Sequence, residues 1–116
     1  GQVVGDSVLL GQMLANLIAN AHRHAASAIK LSLDEEASQV VLAIEDDGSG
    51  IPVGDRDRIF DRFARLDQAR TRDAGGSGLG LAIVKTVVES HGGTVAVETG
   101  ALGGARFVVR LPRVGP

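Results

Sequence analysis

Apolar residues recur at spacings of three and four over the first stretch of the chain: Leu10, Met13, Leu14, Leu17, Ile18 and Ala21. That period predicts an amphipathic helix from about Ser7 to His24. Asp6 or Ser7 can cap it, because either side chain accepts from an orphan N–H of the first turn. The period then changes to two. Ile29, Leu31 and Leu33 alternate with Lys30 and Ser32, which predicts a strand over residues 28–33. Residues 34–38 read as a polar turn. Gln39–Glu45, rich in Val, Leu and Ile, reads as a second strand that closes a hairpin with the first. The cluster Asp46-Asp47-Gly48-Ser49-Gly50-Ile51-Pro52 ends that strand in a turn. Asp55–Phe63 can form a short helix. Residues 64–77 show no period and predict a long loop, a length that is usually functional or disordered. Helical spacing returns over Leu79–His91, with Leu79, Ile83 and Val87 facing one way and Ala82 near them, until Gly92-Gly93 stops it. Thr94–Glu98 and Arg106–Leu111 are two more strands, joined by a Gly-rich turn at 100–104. Two strand pairs and two long helices predict an α+β fold, with an antiparallel or mixed sheet covered by helices on one face.

Composition narrows the function classes. The chain has 116 residues, which fits one domain with one core. Its formal net charge of −2 excludes a broad electrostatic grip on a nucleic-acid backbone. No apolar run approaches the roughly 18 residues of a membrane span, and the first residues carry no signal-peptide pattern. Cysteine is absent, so disulfides and thiolate metal sites are excluded. Phe60, Phe63 and Phe107 are the only aromatics, so the core is aliphatic and stacking platforms for bases are scarce. Glycine supplies 16 residues, of which 13 lie after residue 47 and four within Gly75–Gly80. Such clustering is expected where backbone packs close to a ligand.

Several constellations carry chemistry, each with a plainer alternative. Asn16 and Asn20 are four residues apart and share a helix face, which His24 continues and Arg23 adjoins. Amide oxygens suit a hard cation such as magnesium that shares its ligands with phosphates. A polar helix face bonded to a neighbouring loop would look the same. Asp46, at a strand end before Gly48 and Gly50, can accept from an exocyclic amine while the glycines admit a ligand to the backbone. An ordinary Asp/Gly turn is the alternative. Gly76-Ser77-Gly78-Leu79-Gly80-Leu81 leads into a helix whose free N–H groups and positive dipole end favour an anion. It is not a Walker loop, because no Gly-Lys-Ser/Thr follows, and no strand lies just before it as a dinucleotide fingerprint requires. A flexible tether is the alternative. Six of the ten arginines lie between residues 55 and 73, among them Arg65, Arg70 and Arg72. Most read as a solvated surface, balanced by five aspartates, with one or two able to reach phosphate. His22, His24 and His91 have no metal-ligand spacing, and no serine sits in a nucleophile elbow.

Taken in order, Asn16-Leu17-Ile18-Ala19-Asn20-Ala21, Asp46-Asp47-Gly48-Ser49-Gly50-Ile51, Ile59-Phe60-Asp61-Arg62-Phe63 and Gly76-Ser77-Gly78-Leu79-Gly80-Leu81-Ala82-Ile83-Val84 resemble the N, G1, F and G2 boxes of sensor histidine kinases. The resemblance covers nearly the whole chain. It identifies residues 1–116 as similar to their catalytic, ATP-binding domain, of the GHKL or Bergerat class shared with gyrase, Hsp90 and MutL. It implies a two-layer α/β sandwich with a mixed, mostly antiparallel sheet and a mobile ATP lid at residues 64–77, anchored by Phe60 and Phe63. It also implies roles. Asn20 would hold magnesium, with Asn16 and Arg23 or His24 nearby on the same face. Asp46 would receive the adenine amino group in a pocket shaped by Gly48, Gly50 and Ile51. Arg65 or Arg70 would touch phosphate, and Gly76, Ser77, Gly78, Leu79 and Gly80 would line the phosphate site with backbone N–H groups.

The activity so implied is transfer of the γ-phosphoryl group of Mg-ATP to a histidine on the parent's helical dimerisation domain, in two-component signalling through a response regulator. The domain would be cytoplasmic and monomeric, without direct membrane contact, and belong to a membrane-anchored, homodimeric parent. No catalytic residue is assigned within the chain, because no His-Glu-x-x-x-Pro-like phosphoacceptor motif or dimerising hairpin occurs in it. Many relatives carry threonines where Ala105 and Arg106 stand. The ATPase branch of the class, and anti-sigma-factor serine kinases with it, place a Glu four residues before the metal Asn. Here that position is Asn16, which argues for phosphotransfer and against hydrolysis. A nucleotide-binding interaction module without chemistry is the third rival.

Overall fold

A computed structural model describes residues 7–61 and 80–112. Helix α1 spans Ser7–His24, as the apolar spacing predicts. Its buried residues Met13, Leu17 and Ala21 follow one another at intervals of four, flanked by Leu10 and Ile18. Strand β1 covers Ile29–Glu35 and β2 covers Gln39–Asp46. Asp34 and Glu35 therefore belong to the ladder and not to the turn, opposite Val41 and Val40. Their charges are tolerated because both are exposed. The hairpin turn closes where Glu36 N–H donates to Gln39 O at 2.8 Å.

Over the described part, residues 55–61, of the single short helix expected at Asp55–Phe63, the structure has instead two 3-10 turns, Val53–Asp55 and Arg58–Phe60, with a bend at Asp61. Helix α2 runs Gly80–Ser90, shorter than expected at its far end. Its buried stripe is Ala82, Val84, Val87 and Val88. The expected face through Ile83 is thus rotated, with Ile83 only partly buried. Gly92 stops the helix at φ +79°, and Gly93 N–H donates back to Val88 O at 2.9 Å. That left-handed conformation is one that glycine adopts without strain. Strands β3 (Thr94–Thr99) and β4 (Ala105–Pro112) complete the sheet. The expectations for residues 62–79, including the loop at 64–77, and for the cap Asp6 fall outside the described residues.

The sheet order is β1-β2-β4-β3, and every pairing among the described strands is antiparallel. Residue parity sets its two faces. Leu42 and Ile44 of β2 share a face with Phe107 and Val109 of β4 and Val95 and Val97 of β3. That face meets α1 and α2 in one apolar cluster. Phe60 joins it from the second 3-10 turn, edge-on to Phe107 with ring centroids 6.1 Å apart. Such a pair adds about 0.5–1.5 kcal/mol beyond the area it buries. Asp46 has the same parity as Ile44, so its carboxylate lies on the helix side at the end of an interior strand. Glu45 takes the opposite face. Leu31 and Leu33 of the edge strand β1 remain exposed.

Candidate functional site

Asp46 is 2% exposed, the most deeply buried carboxylate described. Its Oδ1 accepts from Gly48 N–H at 2.8 Å and from Ala105 N–H at 3.4 Å. Both donors are main-chain groups, one from the turn after β2 and one from the start of β4. Oδ2 takes no hydrogen bond from the described residues. Two glycines press against this carboxylate. A Cβ on Gly104 would fall 2.4 Å from Asp46 O and from Oδ1, and 2.7 Å from Gly48 N. A Cβ on Gly48 would fall 2.0 Å from His24 O. The end of α1, the turn after β2 and the turn before β4 therefore converge at Asp46 with no room for side chains.

Gly50, at φ +79°, turns the chain from Asp46 toward Ile51, and lies against Gly104. Arg56 holds that segment in place. Its Nε donates to Ile51 O at 3.1 Å, and its Nη2 donates to Thr99 Oγ1 at 2.9 Å. On the reverse face of the sheet, Glu45 accepts from Ala101 N–H at 3.0 Å and lies 3.5 Å from Arg106. Glu45 thereby ties down the turn that carries Gly104. Arg106 also pairs with Glu98 at 2.8 Å. Where Ala105 and Arg106 stand, a backbone N–H thus reaches Asp46 and a guanidinium serves the far face.

Along α1, Asn20 is 5% exposed and Asn16 is partly buried. The Asn16 Nδ2 is buried without a hydrogen-bond partner among the described residues. A buried, unmet amide costs about 1–3 kcal/mol, so a polar ligand at this position would relieve it. His24 has its pKa lowered, first by desolvation and then by Arg23, with Asp46 acting in opposition. Its ring is therefore mostly neutral at pH 7. Among the described residues no group of three His, Cys, Asp or Glu could hold a metal ion. A cation here would rest on amide oxygens and on the ligand's own anionic oxygens, the donor set that magnesium accepts.

Asp47 points elsewhere. Its Oδ1 accepts from the N–H groups of Ala26, Ser27 and Ala28 at 2.9, 2.9 and 3.0 Å, and its Oδ2 accepts from Ser27 Oγ at 2.6 Å. These bonds hold its pKa well below the ordinary 3.8, the Ser27 hydroxyl contributing most. A depressed carboxylate pKa stabilises the fold fully above the unfolded value, and that stability is lost progressively as pH falls from the unfolded value toward the folded one. Asp47→Ala is therefore expected to lower the urea midpoint at pH 7, and its deficit against the wild type is expected to shrink below about pH 3.8. A deficit that stays constant down to pH 2.5 would contradict this account.

Of the residues singled out in the sequence, Asp46, Gly48, Gly50 and Ile51 lie in one connected turn, and His24 adjoins it. Asn16, Asn20 and Arg23 lie on the helix that ends there. Gly80 opens α2, where an added Cβ would meet no atom of the described residues within 4 Å. Phe63, Arg65, Arg70, Gly76, Ser77, Gly78 and Leu79 lie outside the described residues. A cavity of about 180 Å³ is lined by Phe60, Lys85 and Val95, and by neither Asp46 nor the asparagines of α1. Gly104, Arg56 and Asp47 were not anticipated in these roles. The Gly103-Gly104 pair before the last strand was the available signal for the first.

Comparison with known proteins gives a concordant picture. The family model described as histidine kinase-, DNA gyrase B-, and HSP90-like ATPase matches residues 5–115. Sensor protein RstB of Escherichia coli is 45% identical over 107 residues, 92% of this chain and 25% of RstB. The mycobacterial sensor histidine kinase MprB superposes with a TM-score of 0.82 at 36% identity, over 95% of this chain and 76% of that one. The ATP-binding domain of PrrB from Mycobacterium tuberculosis is 40% identical with a TM-score of 0.77, over 98% of this chain and 72% of that one. The chain spans about a quarter of the length of the curated relatives it matches.

Proposed function

Because this chain belongs to the family of histidine kinase-, DNA gyrase B- and HSP90-like ATPases, we propose that residues 1–116 are the nucleotide-binding catalytic domain of a sensor histidine kinase. It binds Mg-ATP and presents the γ-phosphoryl group to a histidine on a helical dimerisation domain of the parent protein. The observation that carries this reading is Asp46. A carboxylate this buried, with one oxygen fixed by two main-chain donors and the other left over, suits an exocyclic amine. The adenine amino group is such a donor, and the flanking glycines let a flat ring lie against the backbone.

Each further residue takes a part consistent with its place. Ile51 supplies apolar surface beside the ring, held by Arg56. Asn20 and Asn16 face the triphosphate, and the unmet Asn16 amide can donate to a phosphate oxygen or, rotated, present its own oxygen. Arg23 adds positive charge at the end of the same helix. Magnesium, held by Asn20, would neutralise charge on the phosphates. The first N–H groups of α2, from Gly80 onward, would serve the phosphates, with the positive end of the helix dipole behind them. Phe63, Arg65, Arg70, Gly76, Ser77, Gly78 and Leu79 would close over the nucleotide. The downstream partner would be a response regulator, and the domain would work on the cytoplasmic side of a membrane-anchored homodimer. No helix of the described residues is long and apolar enough to cross a membrane itself.

Asp46→Asn tests the reading directly. It keeps the shape but replaces an acceptor with a donor facing the amine. Losing a hydrogen bond to a charged group costs about 1.5–3 kcal/mol, roughly ten- to a hundredfold in affinity. Calorimetric titration with ADP is expected to show that loss. Unchanged ADP affinity would remove Asp46 from the site.

A further inference from the structure

We infer that Asp47 is a positioning residue that sets the distance between the two halves of the nucleotide site. The inference rests on the nucleotide reading above. One half of the site is Asp46 and its glycines, at the end of β2. The other is Asn16, Asn20 and Arg23 on α1. The chain joins them through residues 25–28 and the whole of the β1–β2 hairpin, so covalent connectivity alone does not fix their separation. Asp47 does so directly. It follows Asp46 in the chain, and its carboxylate gathers three successive main-chain N–H groups just past the end of α1. The Ser27 hydroxyl adds a fourth donor at 2.6 Å. The joint is reciprocal, because Asp47 N–H donates to Ala28 O at 3.3 Å. Gly48, the next residue, sits against the His24 carbonyl with no space between. Asp47 and Gly48, the two residues after Asp46, are thus bonded or wedged to the segment 24–28 that follows α1.

Convergent N–H groups of this kind form a concave anion site, and charge-assisted bonds are the stronger class. The bonds of the Asp47 carboxylate go to residues 26–28, none of which is placed at the ligand. Its effect on a ligand follows from the ligand's two ends. Adenine and triphosphate are linked epitopes, and linked epitopes bind better than either alone only where the geometry lets both engage. A ligand that uses one half does not sense the separation of the halves.

The test compares adenosine and Mg-ATP by calorimetry on wild type, Asp47→Ala and Asp47→Asn, well below the melting temperature of each. Asp47→Ala removes every acceptor, and is expected to lower Mg-ATP affinity by roughly tenfold while changing adenosine affinity less than about threefold. Asp47→Asn keeps a carbonyl oxygen for the three N–H groups, and its NH₂ can donate to Ser27 Oγ. It is expected to restore Mg-ATP affinity to within about threefold of wild type. If Asp47→Ala does not fold, Ser27→Ala, which deletes one donor only, is expected to shift the ratio of the two affinities in the same direction by about twofold. Equal losses for both ligands, or no loss for either, would overturn the inference and leave Asp47 as a stabilising loop clasp. A wild type that binds adenosine but gains nothing from Mg-ATP would instead overturn the placing of the triphosphate on α1.

Discussion

Gly48→Ala is expected to abolish measurable nucleotide binding and to destabilise the fold. The methyl group would need to occupy a point 2.0 Å from the His24 carbonyl oxygen and 3.1 Å from Asp46 Oδ1. The first neighbour is backbone at the end of an 18-residue helix, so it cannot rotate aside as a side chain would. Either α1 or the turn must move. Forced overpacking of this kind costs about 1–3 kcal/mol, a fall of roughly 5 °C or more in Tm. The larger consequence is local. Gly48 N–H is the closer of the two donors that orient Asp46, and a displaced turn breaks that bond. The expected loss of ADP affinity is a hundredfold or greater, above that of Asp46→Asn, because the ring's backbone platform goes with the carboxylate's orientation. Gly11→Ala is the matched control. Gly11 lies within α1, and an added Cβ meets no atom of the described residues within 4 Å. Alanine there is expected to stabilise by about 0.5–1 kcal/mol and to leave ADP affinity unchanged. Circular dichroism melts and ADP titration of both variants decide the matter. Near-wild-type binding by a folded Gly48→Ala protein would show that the turn is looser than its contacts imply.

The contrast between these glycines shows what was legible in the sequence. The helix over residues 7–24 and the four strands were readable because burial on one face imposes a period, and a period survives in one dimension. Asp46 was readable because a strand end, a carboxylate and two glycines fall in one short run. Gly104 was not readable as part of the site. Its role depends on β4 pairing beside β2 over a separation of nearly 60 residues, and nothing local encodes that register. The same holds for Arg56, whose two acceptors are five and 43 residues away. Asp47 was hidden by its neighbour. Two adjacent aspartates look alike in a string, yet chain direction turns one toward the helices and the other toward the α1–β1 loop. The expected helix over Asp55–Phe63 broke into two 3-10 turns. Asp61 ends the second in extended conformation, and only Ile59 and Phe60 in the two turns are buried. Two apolar contacts anchor one turn and do not sustain a longer helix.

Mixed with Mg-ATP and nothing else, this chain is expected to bind nucleotide and leave it intact. Phosphoryl transfer asks little covalent chemistry of a protein. It depends on alignment of an acceptor and on neutralisation of charge. Alignment alone is worth effective molarities of about 10⁵–10⁸ M, or roughly 7–11 kcal/mol of barrier. A bound triphosphate without an aligned acceptor forgoes that entire term. Hydrolysis would need a base to activate water, a contribution of about 10²–10⁴. The helix position that carries Glu in the ATPase branch is Asn16 here, and an amide cannot take the proton. The histidines do not substitute as acceptors. His22 and His24 end α1 without the acidic neighbour that would accept a proton from an attacking imidazole. His91 donates from Nδ1 to Val87 O at 2.7 Å, which leaves Nε2 as its lone-pair nitrogen, but Gly92 follows it where the proton-accepting acidic residue would stand. Phosphate release is thus expected at the uncatalysed background, and γ-labelled ATP is expected to leave no label on the chain. Adding the parent's helical phosphoacceptor hairpin restores the missing alignment. Acid-labile, alkali-stable label is then expected on the hairpin's histidine and nowhere else. Label on the 116-residue chain itself, or rapid phosphate release without the hairpin, would place the chemistry within this domain and sink the phosphotransfer reading.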